Sequence, residues 1–371
     1  MSPLRICIFV FALVLGLVLN FLYLRPMLMA TPIDYAQFHF AGKLVAEGKV
    51  SQIYDRAAYA PLEAVVRAEH GKLSLCHFFN RPAYGALLWW PLSFFSYKGG
   101  MILMTELNLL LWAFLVWKLP VWLDAPRDLR IWLLSFFPFL SSVALAQDTL
   151  AITAVIAYSC CVLLKRREIL AGGLLALCLV KPHLVVLLPV FLIRERKWKA
   201  LASFAATGTV LGLLSLALVG VSGIEQWLDL LKAPTTDYSP STMGNLRAIG
   251  MNFGMPLAFG LGALTVASAA LVLARGSFFE RLSTVLALSL LLSPHTYWQD
   301  YSLLAILALS TRSVAIRYLL LLPWCFFTPT IDMWPMTLAI IGSLSWMAAN
   351  LVWKGRTAMV TERDAMQSAW S

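Results

Sequence analysis

Charged residues are scarce in this sequence. Only 13% of the 371 residues are Asp, Glu, Lys or Arg, whereas soluble globular domains carry about 25%. Hydrophobic residues make up 60% of the chain, and its mean hydropathy is +0.77. Because a chain of this composition would expose large apolar patches to water, a soluble domain is excluded.

Motifs that bind metals, nucleotides or nucleic acids are also lacking. The six cysteines form no CxxC pair, so neither a zinc site nor a disulfide framework is predicted. The sequence contains no glycine-rich phosphate loop and no DxD motif. We therefore predict no required cofactor, leave the need for a divalent metal open, and expect no nucleic-acid partner despite the net charge of +10.

Apolar runs of the length that a bilayer requires fill most of the chain. About 20 apolar residues cross a hydrocarbon core of about 30 Å, and the runs at 4–24, 101–122, 199–220 and 335–353 have that length. Others, such as 184–193, are shorter and contain proline, which is tolerated only where protein or a water-filled cavity surrounds them. The sequence predicts an all-α polytopic membrane protein, a single domain over 1–371 with about 11–13 membrane helices, several of them short or broken.

Basic residues are concentrated in short clusters between the apolar runs, which is the positive-inside pattern. The clusters are Lys165–Arg167, Arg194–Lys199, Arg312–Arg317 and Lys354–Arg356. Placing them in the cytoplasm predicts an extracytoplasmic amphipathic-helix loop at 25–81, a second extracytoplasmic loop at 221–255 and a cytoplasmic tail at 356–371. In this topology of a multi-pass cell (inner) membrane protein, 82–97 re-enters or lies flat. The alternative is that 82–97 crosses.

Ionisable side chains at membrane depth cost roughly 2.5–3.5 kcal/mol each, which makes them functional candidates. Asp34 lies in Thr-Pro-Ile-Asp-Tyr, at the start of a predicted helix. It is typical of a helix N-cap, and it also has the chemistry of a general base toward a hydroxyl. Arg81 and Tyr84 lie where the chain returns to an apolar run. Arg81 is either an interfacial anchor or a phosphate contact, since its planar guanidinium fits phosphate oxygens.

Two further candidates interrupt the middle of the chain. Gln147 and Asp148 separate two apolar helices, and we interpret Asp148 as the N-cap of the second. The motif Lys181-Pro182-His183 breaks a long apolar run whose two flanks are basic. Lys181 is therefore expected at the tip of a re-entrant pair, either snorkelling to the interface or, as we favour, binding an anion.

The last candidate is Ser293-Pro294-His295, followed by Asp300. This motif is either a polar outer loop or a site at which His295 contacts a phosphate or orients an acceptor. The spacing permits a pairing of His295 with Asp300 without requiring it. Together, the candidates place one carboxylate and several donors at the outer face of a hollow helix bundle. That set suits a lipid phosphate leaving group and an attacking hydroxyl.

The order of these motifs resembles glycosyltransferase family 87, membrane enzymes of the GT-C fold. The resemblance runs from about residue 30 to 305, through Asp34 in IDYAQFHFAGKLVAEGKVSQIYD, then RPAYGALLWWPLSFF, AQDTL, AGGLLALCLVKPHLVVLLPVFLIRERKW and SPHTYWQDYSLL. Each motif is short, so the specificity lies in their order and spacing. The sequence RPAY stands where the family has Tyr-Pro-Pro, Ala146 where it has Gly, and Asp148 where Asn or Val is commoner.

The resemblance implies an inverting transfer of a monosaccharide, most often mannose, from a polyprenyl-phosphate donor to a lipid-linked or glycan acceptor. It places the reaction on the non-cytoplasmic face, with Asp34 as catalytic base and Lys181 and His295 in contact with donor phosphate or acceptor. The full set of expected substrate and donor-phosphate contacts is Arg81, Tyr84, Gln147, Lys181, His183, His295 and Asp300. Two other classes stay open: a transporter or flippase of lipid-linked sugars, and a membrane polysaccharide ligase or acyltransferase.

Overall fold

The computed structural model describes residues 3–29, 33–70, 79–232, 243–311, 313–326 and 333–370. Helices make up 84% of the structure, and the described residues contain no strand. In chain order the helices are α1 Pro3–Met29, α2 Ile33–Ala46, α3 Arg56–His70, α4 Gly85–Trp89, α5 Tyr97–Trp122, α6 Arg130–Leu134, α7 Phe137–Ala144, α8 Thr149–Leu164, α9 Glu168–Leu177, α10 Pro182–Val185, α11 Leu188–Arg194, α12 Trp198–Lys232, α13 Leu246–Phe253, α14 Met255–Arg275, α15 Phe278–Leu292, α16 Leu304–Ser310, α17 Val314–Phe326 and α18 Trp334–Trp370. The predicted all-α class is confirmed.

Four helices of the described chain are long and apolar enough to cross a membrane. They are Tyr97–Trp122, Trp198–Leu231, Met255–Arg275 and Trp334–Trp353. Large apolar side chains on these helices point outward, for example Leu110, Val210 and Phe259, which are 68%, 62% and 69% exposed. Long apolar helices with exposed apolar side chains are typical of membrane-spanning segments, and the chain is a polytopic membrane protein.

Many of the other helices are too short to cross alone. Thr149–Leu164, Glu168–Val180 and Pro182–Arg194 are apolar, but each has between 10 and 17 residues. A helix of 16 residues is about 24 Å long at 1.5 Å per residue, less than the hydrocarbon core of about 30 Å. The predicted broken helices are therefore present, and their ends bring polar backbone and side chains inside the bundle.

Basic loops meet on one face of the bundle. Lys197 lies 3.3 Å from Glu168, and Arg281 forms an ion pair with Glu195. These contacts join three helix connections, which we call the basic face: residues 165–168, 194–199 and 273–281. Because α8 and α9 run between this face and the segment around Asp148 and Lys181, those two polar residues lie at the opposite end of the bundle.

The second helix differs from the expected interfacial helix. Residues 35–42 of α2 are all buried, whereas an amphipathic helix in the membrane plane would expose its polar face. The segment 85–94 covers the helix, and the Phe38 ring stacks on Trp89 with their centroids 4.3 Å apart. The fit is close at Gly42, where an added Cβ would lie 2.6 Å from the Trp89 carbonyl oxygen. By contrast, α3 is amphipathic and buries mainly Tyr59 and Val66.

The segment after Arg81 is too short to cross a bilayer by itself. It consists of the five residues of α4 and a five-residue 3-10 helix, Trp90–Phe94. Their combined length is roughly 18 Å at rises of 1.5 and 2.0 Å per residue. This is shorter than the hydrocarbon core, and the segment packs against α2 through Trp89.

The two other expected polar segments are more helical than the sequence indicates. Helix α12 continues to Lys232 after a change of direction at Gly220, whose φ is +69°, so the first part of 221–255 is helical. Residues 233–242 lie outside the described part of the chain, and α13 follows at Leu246–Phe253. Helix α18 continues to Trp370 through the predicted tail at 356–371. The assignment of these segments to the two sides of the membrane stays a prediction.

Candidate active site

Three breaks in the helical bundle meet around one lysine. Asp148 directly precedes α8, Lys181 lies between α9 and α10, and Asp300 lies in the 3-10 helix Trp298–Leu303. Pro182 follows Lys181 and lacks the N–H that would continue the helix. The three side chains are far apart in sequence, and the packing of α8, α10 and α15 brings them together.

Four acceptors surround the Lys181 ammonium. Its Nζ lies 2.6 Å from Thr149 Oγ1, 3.0 Å from Asp300 Oδ1, 3.2 Å from Asp148 Oδ1 and 3.4 Å from Gln147 Oε1. The lysine side chain is only 2% exposed. An ammonium has three N–H donors, and these neighbours can occupy all of them. Lys181 must therefore give up a protein contact before it can bind an anion directly.

Arg81 connects this group to the region around α2. Its Nη2 lies 3.3 Å from Asp148 Oδ1, and its guanidinium lies over the Phe38 ring, 5.7 Å from the centroid. The Tyr54 hydroxyl donates to the Arg81 carbonyl at 2.8 Å. Asp34 and Phe38 both belong to α2, four residues apart, and so lie on one helix face about one turn apart.

The buried group contains two cations and two carboxylates, which balance one another. Burial acts to raise the pKa of Asp300, but the nearby Lys181 and His183 oppose this and the pKa lies at about 2. Burial likewise acts to raise the pKa of Asp148, and Arg81 and Lys181 outweigh it, so this pKa is lowered too. Both carboxylates are therefore ionised near neutral pH. A carboxylate held in this way is a weak general base.

Several buried polar atoms of this group have no hydrogen-bond partner among the described residues. They are Asp148 Oδ2, Arg81 Nε, Tyr84 Oη and His183 Nε2. Leaving such atoms unpaired costs about 1–3 kcal/mol each, and more for charged groups. Their position around one ion-pair cluster is therefore typical of a site that binds a polar ligand.

A strained turn directs two of these side chains toward Lys181. Ala146 has φ of +51°, a left-handed conformation that costs a residue with a Cβ about 1–2 kcal/mol. The Gln147 N–H donates to the Ser142 carbonyl at 2.9 Å, as in the Schellman turn that ends many helices. Gln147 and Asp148 follow directly and project onto the ammonium.

The His295 loop is fixed from two sides. The Asn245 amide donates to the Ser293 carbonyl at 3.0 Å, and the Ser293 hydroxyl donates to the His295 carbonyl at 2.7 Å. The His295 ring packs edge-on against Tyr297, with centroids 4.3 Å apart. The Tyr297 N–H in turn donates to Asp300 Oδ2 at 3.0 Å, which connects this loop to the Lys181 cluster.

The predicted site residues fall into two groups. The structure brings Arg81, Gln147, Lys181 and Asp300 into one contact network. Beside this network lie the remaining expected contacts, Tyr84, His183 and His295. Asp34 lies in the first turn of α2 and is half-buried.

Sequence reasoning missed two members of the network. Asp148 occupies the expected N-cap position of α8, but its side chain makes no capping hydrogen bond and pairs with Arg81 and Lys181 instead. Thr149, the closest neighbour of the ammonium, was not singled out. The adjacent Gln147 and the cation at Lys181 were the only local signals, because the pairing itself depends on tertiary packing.

No cluster of three or more His, Cys, Asp or Glu side chains suited to a metal occurs in the described part of the chain. Asp148 and Asp300 share Lys181 as their counter-ion.

A family model of glycosyltransferase family 87 matches residues 79–323, about two thirds of the chain. The chain belongs to this family. The protein is therefore a glycosyltransferase. No curated protein and no solved structure matches the chain.

The family match contains the whole ion-pair network of the glycosyltransferase, from Arg81 to Asp300. Asp34 lies outside the matched residues. Its expected role as catalytic base therefore rests on the resemblance of residues 25–81 to the family and not on this match. Arg81 and Asp148 belong to two of the motifs that depart from the family pattern, and they contact each other.

Proposed function

We propose that this glycosyltransferase moves a monosaccharide, with mannose as the first candidate, from a polyprenyl-phosphate donor to a hydroxyl group. The acceptor would be a lipid-linked or glycan molecule, and the transfer would invert the anomeric configuration. The observation that supports this proposal best is the buried cluster of Arg81, Asp148, Lys181 and Asp300, at the end of a membrane-spanning bundle.

The location of the cluster supports a reaction on the non-cytoplasmic side. The cluster lies at the end of the bundle opposite the basic face, where Glu168 pairs with Lys197 and Glu195 with Arg281. Basic loops are retained in the cytoplasm, so the opposite end faces the outside of the cell (inner) membrane. A polyprenyl chain would reach this end from the surrounding lipid.

The proposed chemistry is a direct displacement with Asp34 as general base. The Asp34 carboxylate takes the proton of the acceptor hydroxyl, whose oxygen forms a bond to the anomeric carbon. The bond between that carbon and the phosphate oxygen breaks, and polyprenyl phosphate leaves with the electron pair. A half-buried carboxylate at a helix start suits this role, because the base must exchange its proton with the surroundings.

The leaving phosphate needs stabilisation of negative charge and no general acid. Arg81, Lys181 and His295 are the groups we assign to this task. Lys181 acts mainly through the carboxylates that it neutralises, since its own donors already face Thr149, Asp148 and Asp300. His295 is the candidate for direct contact.

The test is transfer by the purified full-length protein in nanodiscs. Radiolabelled polyprenyl-phosphate mannose is supplied with a membrane glycolipid extract, and the product is separated and digested with anomer-specific mannosidases. We expect a product of inverted configuration, and Asp34→Asn should lower the rate by about 10²–10⁴-fold.

A matched control is Asp55→Asn in the same polar block. Asp55 Oδ1 accepts a hydrogen bond from the Ala57 N–H at 2.9 Å, and Asn caps a helix as well as Asp does, so transfer should persist. Full transfer by a folded Asp34→Asn protein would refute the base assignment. Movement of labelled donor across liposomes without product would favour a flippase, and use of an oligosaccharide donor only would favour a ligase.

A further inference from the structure

The ion pair of Arg81 and Asp148 uses only one side of each group. Asp148 Oδ1 faces both Arg81 and Lys181, at 3.3 and 3.2 Å. Asp148 Oδ2 and Arg81 Nε are buried and lack partners among the described residues. Both side chains are more than nine-tenths buried, with 6% exposure for Arg81 and 9% for Asp148. The pair therefore presents one unused acceptor and one unused donor.

Tyr84 adds a third unused polar atom beside this pair. Its hydroxyl is buried without a partner in the described structure, and the residue is 7% exposed. Tyr84 follows Arg81 by three residues. Burial raises the pKa of the Tyr84 phenol, and the charge of Asp148 adds to that effect. A phenol can donate one hydrogen bond and also accept.

The chemistry of these atoms favours a hydroxyl-bearing ligand over a phosphate. An ionised phosphate only accepts hydrogen bonds and would repel the Asp148 carboxylate, so it cannot satisfy Oδ2. A sugar hydroxyl donates through its O–H and accepts through its oxygen. Adjacent hydroxyls on one ring can therefore donate to Asp148 Oδ2 and accept from Arg81 Nε at the same time.

We propose that Asp148, Arg81 and Tyr84 form the subsite that binds the sugar hydroxyls of the donor. This inference rests on the proposed function, because it names the part of the donor that binds at the ion pair. Lys181 is then a positioning residue, which keeps Asp148 ionised and correctly oriented. The donor phosphate binds next to this subsite, between Arg81 and His295, while Oδ2 of Asp148 faces the sugar.

The test compares two lipids that differ only in the sugar. Binding of a short-chain polyprenyl-phosphate mannose and of the same polyprenyl phosphate without sugar is measured on the full-length protein in nanodiscs. Tyr84→Phe is the principal variant, because it removes an atom without a partner in the described structure and leaves folding intact. Asp148→Asn is the second variant, and Tyr158→Phe on the outer surface of α8 is the control.

We expect Asp148→Asn to weaken binding of the mannosyl lipid by roughly tenfold or more, the range for a hydrogen bond to a charged group. Tyr84→Phe should weaken it by roughly two- to tenfold, the range for a hydrogen bond between neutral groups. Binding of the sugar-free lipid should change by less than about twofold after Tyr84→Phe and become tighter after Asp148→Asn, which removes a negative charge. Tyr158→Phe should change neither.

Two outcomes would overturn the subsite. If Tyr84→Phe weakened the binding of both lipids equally, the Tyr84 hydroxyl would contact the phosphate or the polyprenyl chain and not the sugar. If Tyr84→Phe left the binding of the mannosyl lipid unchanged and raised the KM for the acceptor, the subsite would bind hydroxyls of the acceptor and not of the donor. If the wild type bound the sugar-free lipid and rejected the mannosyl lipid, the donor in the proposed function would itself be wrong. These results distinguish a failed subsite from a failed function.

Discussion

Removal of the Lys181 charge should destabilise the folded protein by about 3–5 kcal/mol. The ammonium lies 3.0 Å from Asp300 Oδ1 and 3.2 Å from Asp148 Oδ1. Each contact is worth about 5 kcal/mol at an effective dielectric constant of 20. Lys181→Met loses both attractions and recovers the several kcal/mol that burying the ammonium costs, which leaves the stated net loss.

The structure also predicts how this loss can be reversed. Arg81 still neutralises Asp148 in Lys181→Met, so the uncompensated charge is that of Asp300. Adding Asp300→Asn removes that charge and should make the double variant about 2 kcal/mol or more stable than Lys181→Met alone. Unfolding in mixed micelles of a mild detergent and SDS, followed by helical circular dichroism, measures both differences.

Lys197→Met is the control for the loss of stability expected in Lys181→Met. Lys197 is 26% exposed and pairs with one carboxylate, Glu168, at 3.3 Å, so its loss should cost no more than about 1 kcal/mol. A loss of stability for Lys181→Met no larger than that for Lys197→Met would contradict this prediction. So would further destabilisation of the Lys181→Met protein by Asp300→Asn.

Three other predictions concern stability and are measured by the same unfolding assay in SDS mixed micelles. Ala146→Val should lower the free energy of unfolding by more than about 2 kcal/mol, because a branched side chain is forced into a buried left-handed turn. Ala146→Gly should change it by less than about 0.5 kcal/mol, since relief of strain offsets the lost methyl burial. Gly172→Ala should lower the free energy of unfolding by about 1–3 kcal/mol, because the added Cβ would lie 2.1 Å from the Ala200 carbonyl oxygen. The adjacent Gly173→Ala is the control and should be tolerated, because its added Cβ would lie 3.6 Å from the nearest atom. Burial lowers the pKa of His39 in the folded protein to about 4, whereas the ordinary histidine pKa in the unfolded chain is about 6.5. The unfolded chain therefore binds more protons as the pH falls, and the free energy of unfolding should decrease by on the order of 3 kcal/mol from pH 7 to pH 4. His39→Gln should remove most of this pH dependence, and an unchanged dependence of stability on pH would contradict the prediction.

The sequence reveals the breaks in the bundle better than the contacts between them. Lys181-Pro182 is visible as a break, because proline cannot continue a helix and a lysine in an apolar run is costly. Its pairing with Asp300 spans 119 positions, and no local pattern encodes it. Asp148 has the local signature of a cap, and only the tertiary approach of Arg81 and Lys181 gives its side chain another role.

The burial of α2 illustrates a second limit. Gln37 and His39 are polar residues in a segment for which the sequence predicts an amphipathic helix. Both are almost fully buried, at 3% and 4% exposure, since the segment 85–94 packs over the helix. A periodic pattern shows which residues are apolar, but it does not show how many sides of a helix its neighbours cover.

The most direct test of the account is a map of the full-length protein in nanodiscs with polyprenyl-phosphate mannose bound. We predict that the sugar lies beside the buried ion pair, with a ring hydroxyl about 2.6–3.2 Å from Asp148 Oδ2 and the anomeric carbon facing Asp34 at the start of α2. Density for the sugar at the basic face, or at any place separated from both Asp148 and Asp34, would contradict the account.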